Sequence, residues 1–389
     1  MDLAKRWEGS LAPNYATPTL MLDHGKGVEV WDANGKRYLD FLAGIAVSST
    51  GHAHPKVVAA IAQQAGKLLH TSNLYAHEPG VTLAERLRQV TGYDKVFFSN
   101  SGGEANEAAL KLVRRHAHKA GKPGATVLAL DHAFHGRTTA TVTLTGQQKY
   151  QKGFHPLVPQ IAHTPANDVR SLERCFAREP VSGLFLEPIQ GESGVRPLSP
   201  AFLEAAARLC KEHDALLVAD EIQTGVGRTG KFLAFEHQGV KADITTLAKG
   251  IASGLPLGVT LLTQRVADLL EPGAHGTTFG GNPVSCAAGL ATLDVIEQER
   301  LLDNATRTGA HLQQALKERV PGVKEVRGTG LLVGCELAAP VAKKVKQEAE
   351  AAGLLVNAIG ETVLRLAPPL IVTPQQVDEA VGILAKAAA

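Results

Sequence analysis

The 389-residue chain is long for a single core and suits a large domain with a smaller one beside it. Its 44 % apolar content contains no run of the roughly eighteen apolar residues that a membrane span needs, and the N-terminus lacks the apolar centre of a secretory signal. A net charge of +2 with dispersed Lys and Arg offers nucleic acid no electrostatic footprint.

Cys175, Cys210, Cys286 and Cys335 stand far apart, without CxxC spacing, and read as reduced, mostly buried thiols of a cytoplasmic protein. Val28–Trp31 and Arg37–Phe41 flank Asp32-Ala33-Asn34-Gly35-Lys36, where Asn-Gly tolerates positive φ, so a β-hairpin is expected. A helix is expected from Lys56 to about Leu69. His52 and His54 precede it with no third ligand at metal spacing; they read as loop or packing residues, and no metal is expected.

From Tyr93 strand and helix alternate. Lys95–Phe98, Thr126–Leu130, Leu184–Leu186, the run from Ala215, Ile244–Ala248 and Gly258–Thr263 read as strands. Glu104–Lys119, Ala201–His213 and Pro283–Glu299 read as helices. That alternation predicts an α/β fold, a mostly parallel sheet covered by helices on both faces. Beyond residue 321 the pattern changes. Val323–Leu337, Val341–Ala352, Leu354–Val356, Val363–Leu366 and Pro374–Ala388 read as strand, helix, strand, strand and helix, with Thr373 as the last N-cap. The expected domains are 1–55, a hairpin segment joining the small domain, 56–310, the large domain, and 311–389, a small α+β domain.

Ala215 to Gly250 carries the chemical signal. Leu216-Leu217-Val218-Ala219 ends in Asp220-Glu221-Ile222-Gln223, and Ile244–Ala248 ends in Lys249-Gly250, so two buried strands deliver an acid and a lysine. Between them Gly225–Lys231 matches seven places of a nucleotide loop, but Phe232 stands where the Mg²⁺-binding hydroxyl is required, and no helix start follows. Upstream, Ser99–Glu107 lies between a strand and a helix. Gly102 and Gly103 allow close backbone approach, and the helix start offers free N–H groups to a phosphate. The same residues would also serve a plain Ser101 N-cap and corner.

Pyridoxal phosphate needs all three features. Its aldehyde links to a lysine, its ring nitrogen pairs with an aspartate that keeps it protonated, and its phosphate sits on a helix N-terminus. Lys249 must be neutral to attack, which a partly desolvated pocket favours. Alone, Asp220 would suit a turn cap and Lys249 a solvated strand end; their convergence with the phosphate cradle points to the cofactor.

Several motifs then carry a resemblance over essentially the whole chain: Asn100–Glu107, His132-Ala-Phe-His-Gly-Arg-Thr138, Leu186-Glu-Pro-Ile-Gln-Gly-Glu192, Asp220–Gly225, Leu247–Gly250 and His275–Pro283. The chain resembles the class III (ornithine-type) aminotransferases, fold-type I pyridoxal-phosphate enzymes. Its compactness and the Ala-Phe-His-Gly-Arg-Thr run are most similar to the members that use acetylornithine. The resemblance implies roles residue by residue. Lys249 is the Schiff-base lysine and proton shuttle, and Asp220 the partner of the ring nitrogen. Gln223 meets the phenolic oxygen, with Glu221 and Ile222 beside it among the cofactor residues. Ser101, Gly102 and Gly103 form the phosphate cradle, and Phe134 stacks on the ring. Thr278 reaches the phosphate of a neighbouring subunit, which implies a homodimer with shared active sites, and Thr277 contacts substrate. Arg137 holds the α-carboxylate of acetylornithine, Arg365 that of glutamate or 2-oxoglutarate, and Glu192 covers Arg365 when an ω-amine donor is bound. Gly103 departs from relatives that carry Thr or Ala there.

The implied reaction moves the terminal amine of N2-acetyl-L-ornithine to 2-oxoglutarate; in the biosynthetic direction it runs from N-acetylglutamate 5-semialdehyde towards arginine. Ornithine, 4-aminobutyrate, succinylated diamines and carrier-protein-bound lysine are alternative donors. Glutamate-semialdehyde aminomutation and a P-loop NTPase are the alternatives of different class. No nucleic acid or membrane partner is implied.

Overall fold

The computed structural model describes residues 3–389; Met1 and Asp2, where the N-terminal segment was read to begin, lie outside them. A seven-stranded sheet forms its centre, in the order Lys95–Ser99, Gly258–Leu262, Ile244–Leu247, Leu216–Asp220, Val181–Leu186, Thr126–Leu130, Ile161–Thr164. Gly258–Leu262 runs antiparallel to both of its neighbours, and the remaining pairings are parallel.

The apolar runs follow from burial on both faces. Leu128, Leu130, Leu184, Leu186, Leu217 and Ala219 pack towards helices Val169–Arg178 and Pro200–Glu212. Their alternates Val127, Ala129, Phe185, Leu216 and Val218 pack on the opposite face against Ala109, Leu112 and Val113 of helix Gly102–Lys119. Full burial of each such aliphatic side chain contributes roughly 1.5–3 kcal/mol, so a charge at Val218 would break the sheet from within.

Register gathers the candidate residues at one sheet end. Asp220 pairs with Thr246, three residues before Lys249, and Gly258 pairs with Ser99, just before the Ser101 cap. An open parallel sheet presents ligands at the carboxyl ends of its strands, and Asp220, Lys249 and Ser101 all stand there.

Two smaller sheets flank this body. The expected hairpin forms between Glu29–Asp32 and Arg37–Asp40, with Asp32 Oδ1 accepting from the N–H groups of Asn34 and Lys36 at 2.9 Å. It is extended by Leu22–Lys26 and, on its other side, by Leu354–Leu355 from the far end of the chain. The second sheet has the order Val323–Thr329, Leu332–Leu337, Val363–Leu366, Asn357–Ile359. Val323–Leu337, expected as one strand, is therefore a hairpin, folded at Gly330 where φ is +56°. The helix expected to reach Leu69 ends at Ala65, before Gly66. Helix Leu301–Arg319 runs straight through the boundary expected at 310, and helix Glu78–Thr91 and strand Ile161–Thr164 were not foreseen. Thr373 caps the last helix as expected, accepting from Gln376 N.

Candidate active site

A cavity of about 340 Å³ opens at the sheet end and is bordered by Ser101, Gly102, Gly103, Phe134, Glu192, Asp220, Ile222, Gln223 and Lys249. Residues separated by up to 148 positions in the sequence, from Ser101 to Lys249, thus meet in one space.

Lys249 follows strand Ile244–Leu247 with φ +45°, a strained backbone for a residue with a Cβ. Burial lowers the pKa of its amine, and the Arg365 charge lowers it further, against the opposing pull of Glu192, Asp220 and Glu187. A lysine held towards neutrality is a nucleophile.

Asp220 is buried at the end of its strand. Its Oδ2 accepts from Asn106 Nδ2 at 2.7 Å and from His135 Nδ1 at 2.8 Å, while Oδ1 accepts from Ile222 N at 3.1 Å. Asn106 is itself fixed, donating to His135 O and accepting from Thr246 Oγ1. Burial opposes the charge on His135, but the bond to Asp220 and the Asp220 and Glu187 carboxylates outweigh it and raise its pKa. Glu187 lies beside them, accepting from Phe134 N at 2.9 Å; burial pushes its carboxyl up to about 7.

Ser101 N-caps helix Gly102–Lys119, its Oγ accepting from Glu104 N at 3.2 Å. That leaves the N–H groups of Gly102 and Gly103 as the free donors of the first turn. A Cβ on Gly102 would stand 2.7 Å from Ile222 Cδ1, whereas one on Gly103 would meet nothing closer than 3.9 Å. The departure at Gly103 therefore removes a side chain from open space and leaves the backbone donor in place.

Pyridoxal phosphate fits these residues on two observations. A buried carboxylate with two donors on one oxygen faces the same cavity as a desolvated lysine. The helix start facing that cavity has backbone donors to spare and a glycine that nothing larger could replace without moving Ile222. Gly102 and Gly103 would hold the phosphate, Asp220 the ring nitrogen and Gln223 the phenolic oxygen. Phe134 and Ile222 would supply apolar walls.

The substrate candidates divide. Arg365 is buried, with Nη1 donating to Glu192 Oε1, to Gly191 O at 3.3 Å and to Gln223 Oε1 at 3.3 Å, and Nη2 to Asn357 Oδ1 at 3.1 Å. Burial alone would raise the Glu192 pKa; the adjacent Arg365 charge and hydrogen bond reverse that and lower it. Arg137 lies outside the cavity border, its guanidinium 3.9 Å over the ring of Tyr150 and 5.5 Å from that of Phe134. Thr277 accepts from Asn100 Nδ2 at 3.2 Å, and Thr278 is exposed.

Glu221, expected among the cofactor residues, turns the other way. Its buried carboxylate accepts from Ala234 N, Phe235 N at 3.0 Å and Thr224 Oγ1, so it caps the loop behind the strand rather than bordering the cavity. Asn106, His135, Glu187, Tyr150 and Asn357 enter the site unannounced by the sequence reading. The first three lie inside the motifs that carry the resemblance. His52 and His54 bond Asp40 and Glu299 respectively.

A family model for class-III aminotransferases matches residues 10–388. An acetylornithine aminotransferase of Streptomyces coelicolor is 49 % identical over 98 % of this chain and 94 % of its own length. Acetylornithine aminotransferase 1 of Bordetella bronchiseptica is 47 % identical over 96 % of each. Among solved structures, the ornithine aminotransferase of Toxoplasma gondii, described with partial occupancy of PLP at its active site, superposes with a TM-score of 0.93 at 35 % identity, over 98 % of this chain and 93 % of that one.

Proposed function

The chain belongs to the class-III aminotransferases, and from that premise we propose that it moves the terminal amine of N2-acetyl-L-ornithine to 2-oxoglutarate, giving N-acetyl-L-glutamate 5-semialdehyde and L-glutamate. The observation that carries this reading is the Glu192–Arg365 pair at the edge of the cavity that holds Lys249. A guanidinium that a carboxylate can cover or release lets one pocket take an ω-amine donor and a dicarboxylate in turn. The two relatives at 47–49 % identity carry acetylornithine in their names, which favours that donor over ornithine.

When bound, pyridoxal 5′-phosphate supplies an aldehyde onto which amines exchange and a ring that accepts electrons from the reacting carbon. Around it the chain binds, orients and moves protons. Lys249 Nζ, held towards the neutral amine by burial, would carry the cofactor's aldehyde carbon and, once an incoming amine displaces it, would take the proton from the donor's amine-bearing carbon. Asp220, held in place by Asn106 and His135, would be the partner of the ring nitrogen. Arg137 takes the α-carboxylate of the amine donor. In the second half-reaction Glu192 releases Arg365, which takes the α-carboxylate of 2-oxoglutarate bidentately.

Two copies are inferred to share their sites. Thr278 is exposed on a loop whose Thr277 is tied to Asn73 and Asn100, and exposed apolar residues follow both ends of the Asn73 tie in the sequence: Leu74 (85 % exposed) and Tyr75 (72 %) after Asn73, and Phe279 (62 %) after Thr278. A partner would cover that patch and receive Thr278 at its phosphate site. Free cysteines suit the reducing cytoplasm, and no helix is long and apolar enough to cross a membrane among the described residues.

A panel of half-reactions tests the reading. The protein loaded with pyridoxal phosphate is mixed with acetylornithine, ornithine, 4-aminobutyrate and glutamate, and the visible band of the lysine-linked cofactor is followed. Fastest loss with acetylornithine supports the assignment; fastest loss with ornithine would transfer it to that donor.

A further inference from the structure

Arg228 is only 1 % exposed, and no carboxylate among the described residues pairs with it. Burial pushes its guanidinium down to about 9, so it remains a cation at neutral pH in an apolar surround. Only Nη1 is used within the protein: it donates to Leu331 O at 3.1 Å and to Pro368 O, while Nε and Nη2 find no acceptor among the described residues. Burying an uncompensated cation is costly, and an apolar side chain of similar shape would serve packing better. What Arg228 supplies is the tie it makes.

Its two acceptors bracket Arg365. Pro368 lies three residues beyond it, past the end of strand Val363–Leu366. Leu331 immediately precedes strand Leu332–Leu337, whose Gly334 pairs with Arg365. The backbone closes the same tie, with Leu331 N donating to Arg228 O at 2.9 Å. No side chain cushions the junction: a Cβ on Gly330 would fall 2.6 Å from the carbonyl carbon of Thr229. Arg228 also stands five residues after Gln223, whose Oε1 accepts from Arg365 Nη1. One loop therefore grips the Arg365 strand twice, at the guanidinium through Gln223 and at the backbone through Arg228.

We propose that Arg228 is a positioning residue for Arg365, tying the strand that carries Arg365 to the loop that carries Gln223, so that the guanidinium meets the carboxylate of the keto acid in register. The proposal rests on Arg365 taking that carboxylate, as read above. It confines the effect to one half-reaction, because Arg137 lies on a different segment, over Tyr150.

The test uses the loaded enzyme with R228K, the uncharged R228Q, R365K and the double variant R228K/R365K, measuring each half-reaction separately. Lysine cannot span two carbonyls as a fork does, and a displacement of about 1 Å at a binding group costs up to roughly a hundredfold. R228K and R228Q should therefore raise the KM for 2-oxoglutarate about tenfold, leaving the visible band and the KM for the amine donor unchanged. Acting through Arg365, R228K should add little to R365K in the double variant. Equal damage to both half-reactions in whichever Arg228 variant folds, or effects that multiply in the double variant, would overturn the proposal. An R365K enzyme with an unchanged KM for 2-oxoglutarate would instead remove the reading of Arg365 on which it stands.

Discussion

The guanidinium of Arg365 is closed off by the carboxylate of Glu192, whose Oε1 accepts from Arg365 Nη1 and, at 3.3 Å, from Gln223 Nε2. Nη1 and Nη2 are both engaged, Nη1 by Glu192, Gly191 and Gln223 and Nη2 by Asn357, while Nε has no partner among the described residues, so a dicarboxylate must displace Glu192 to reach Nη1. Glu192→Ala should leave Arg365 open and shift the ratio of half-reaction rates towards glutamate and away from the ω-amine donor by about tenfold. Rapid-mixing measurements with each amine read this directly, and an equal fall for both would count against a gate.

The cradle makes a prediction about two adjacent glycines. Gly102→Ala drives a Cβ into Ile222, which borders the cofactor cavity, whereas Gly103→Ala enters space with no atom nearer than 3.9 Å. Titration with pyridoxal phosphate should show affinity weakened by about tenfold or more in the first variant and nearly unchanged in the second. Equal effects would mean that the helix start is not the phosphate site.

His135 should matter through Asp220. Replacing it with Phe removes one of two donors on Oδ2 and leaves Asn106 in place. A lost hydrogen bond to a charged group is worth roughly 1.5–3 kcal/mol, so amine exchange should slow by about ten- to a hundredfold. His135→Asn, which retains a donor, should recover part of the rate. Failure of that recovery would reduce His135 to packing.

Glu187 gives a stability test with a definite sign. Burial lifts its carboxyl from 4.5 to about 7, so the folded state binds that proton more tightly than the unfolded state. The contribution is complete below pH 4.5 and is lost as the pH rises through about 7. Glu187→Gln keeps an acceptor for Phe134 N and carries no charge. Denaturant unfolding of the cofactor-free protein should show the variant gaining on the parent between about pH 5 and pH 8. A constant difference across that range would contradict the raised pKa.

Much of the large sheet was legible because strands buried on both faces must be written as apolar runs, as in Leu216–Asp220 and Thr126–Leu130. Ile161–Thr164 escaped because His163 breaks the run at a partly buried edge position. The Gly330 fold-back escaped because Leu331 and Leu332 continue the apolar pattern straight through the turn. Helix Glu78–Thr91 escaped because its first turn carries Pro79 and Gly80, residue types that punctuate turns. In the site, Lys249, Asp220 and the Ser101 cap were legible from strand ends and a helix start. His135 and Asn106 were not, because their role is set by a contact with Asp220 across 85 and 114 residues. Glu221 was expected among the cofactor residues beside Asp220, but its carboxylate is taken up behind the strand by the Ala234 and Phe235 N–H groups, a contact set by residues more than ten positions away.

The central claim is that Lys249 and its surroundings pass a terminal amine to a keto acid. Acetylornithine labelled with ¹⁵N at its terminal amine, incubated with the loaded enzyme and 2-oxoglutarate, should yield glutamate carrying that label, and Lys249→Ala should abolish the transfer. Unlabelled glutamate from the parent enzyme, or undiminished label from the Lys249→Ala variant, would contradict the account.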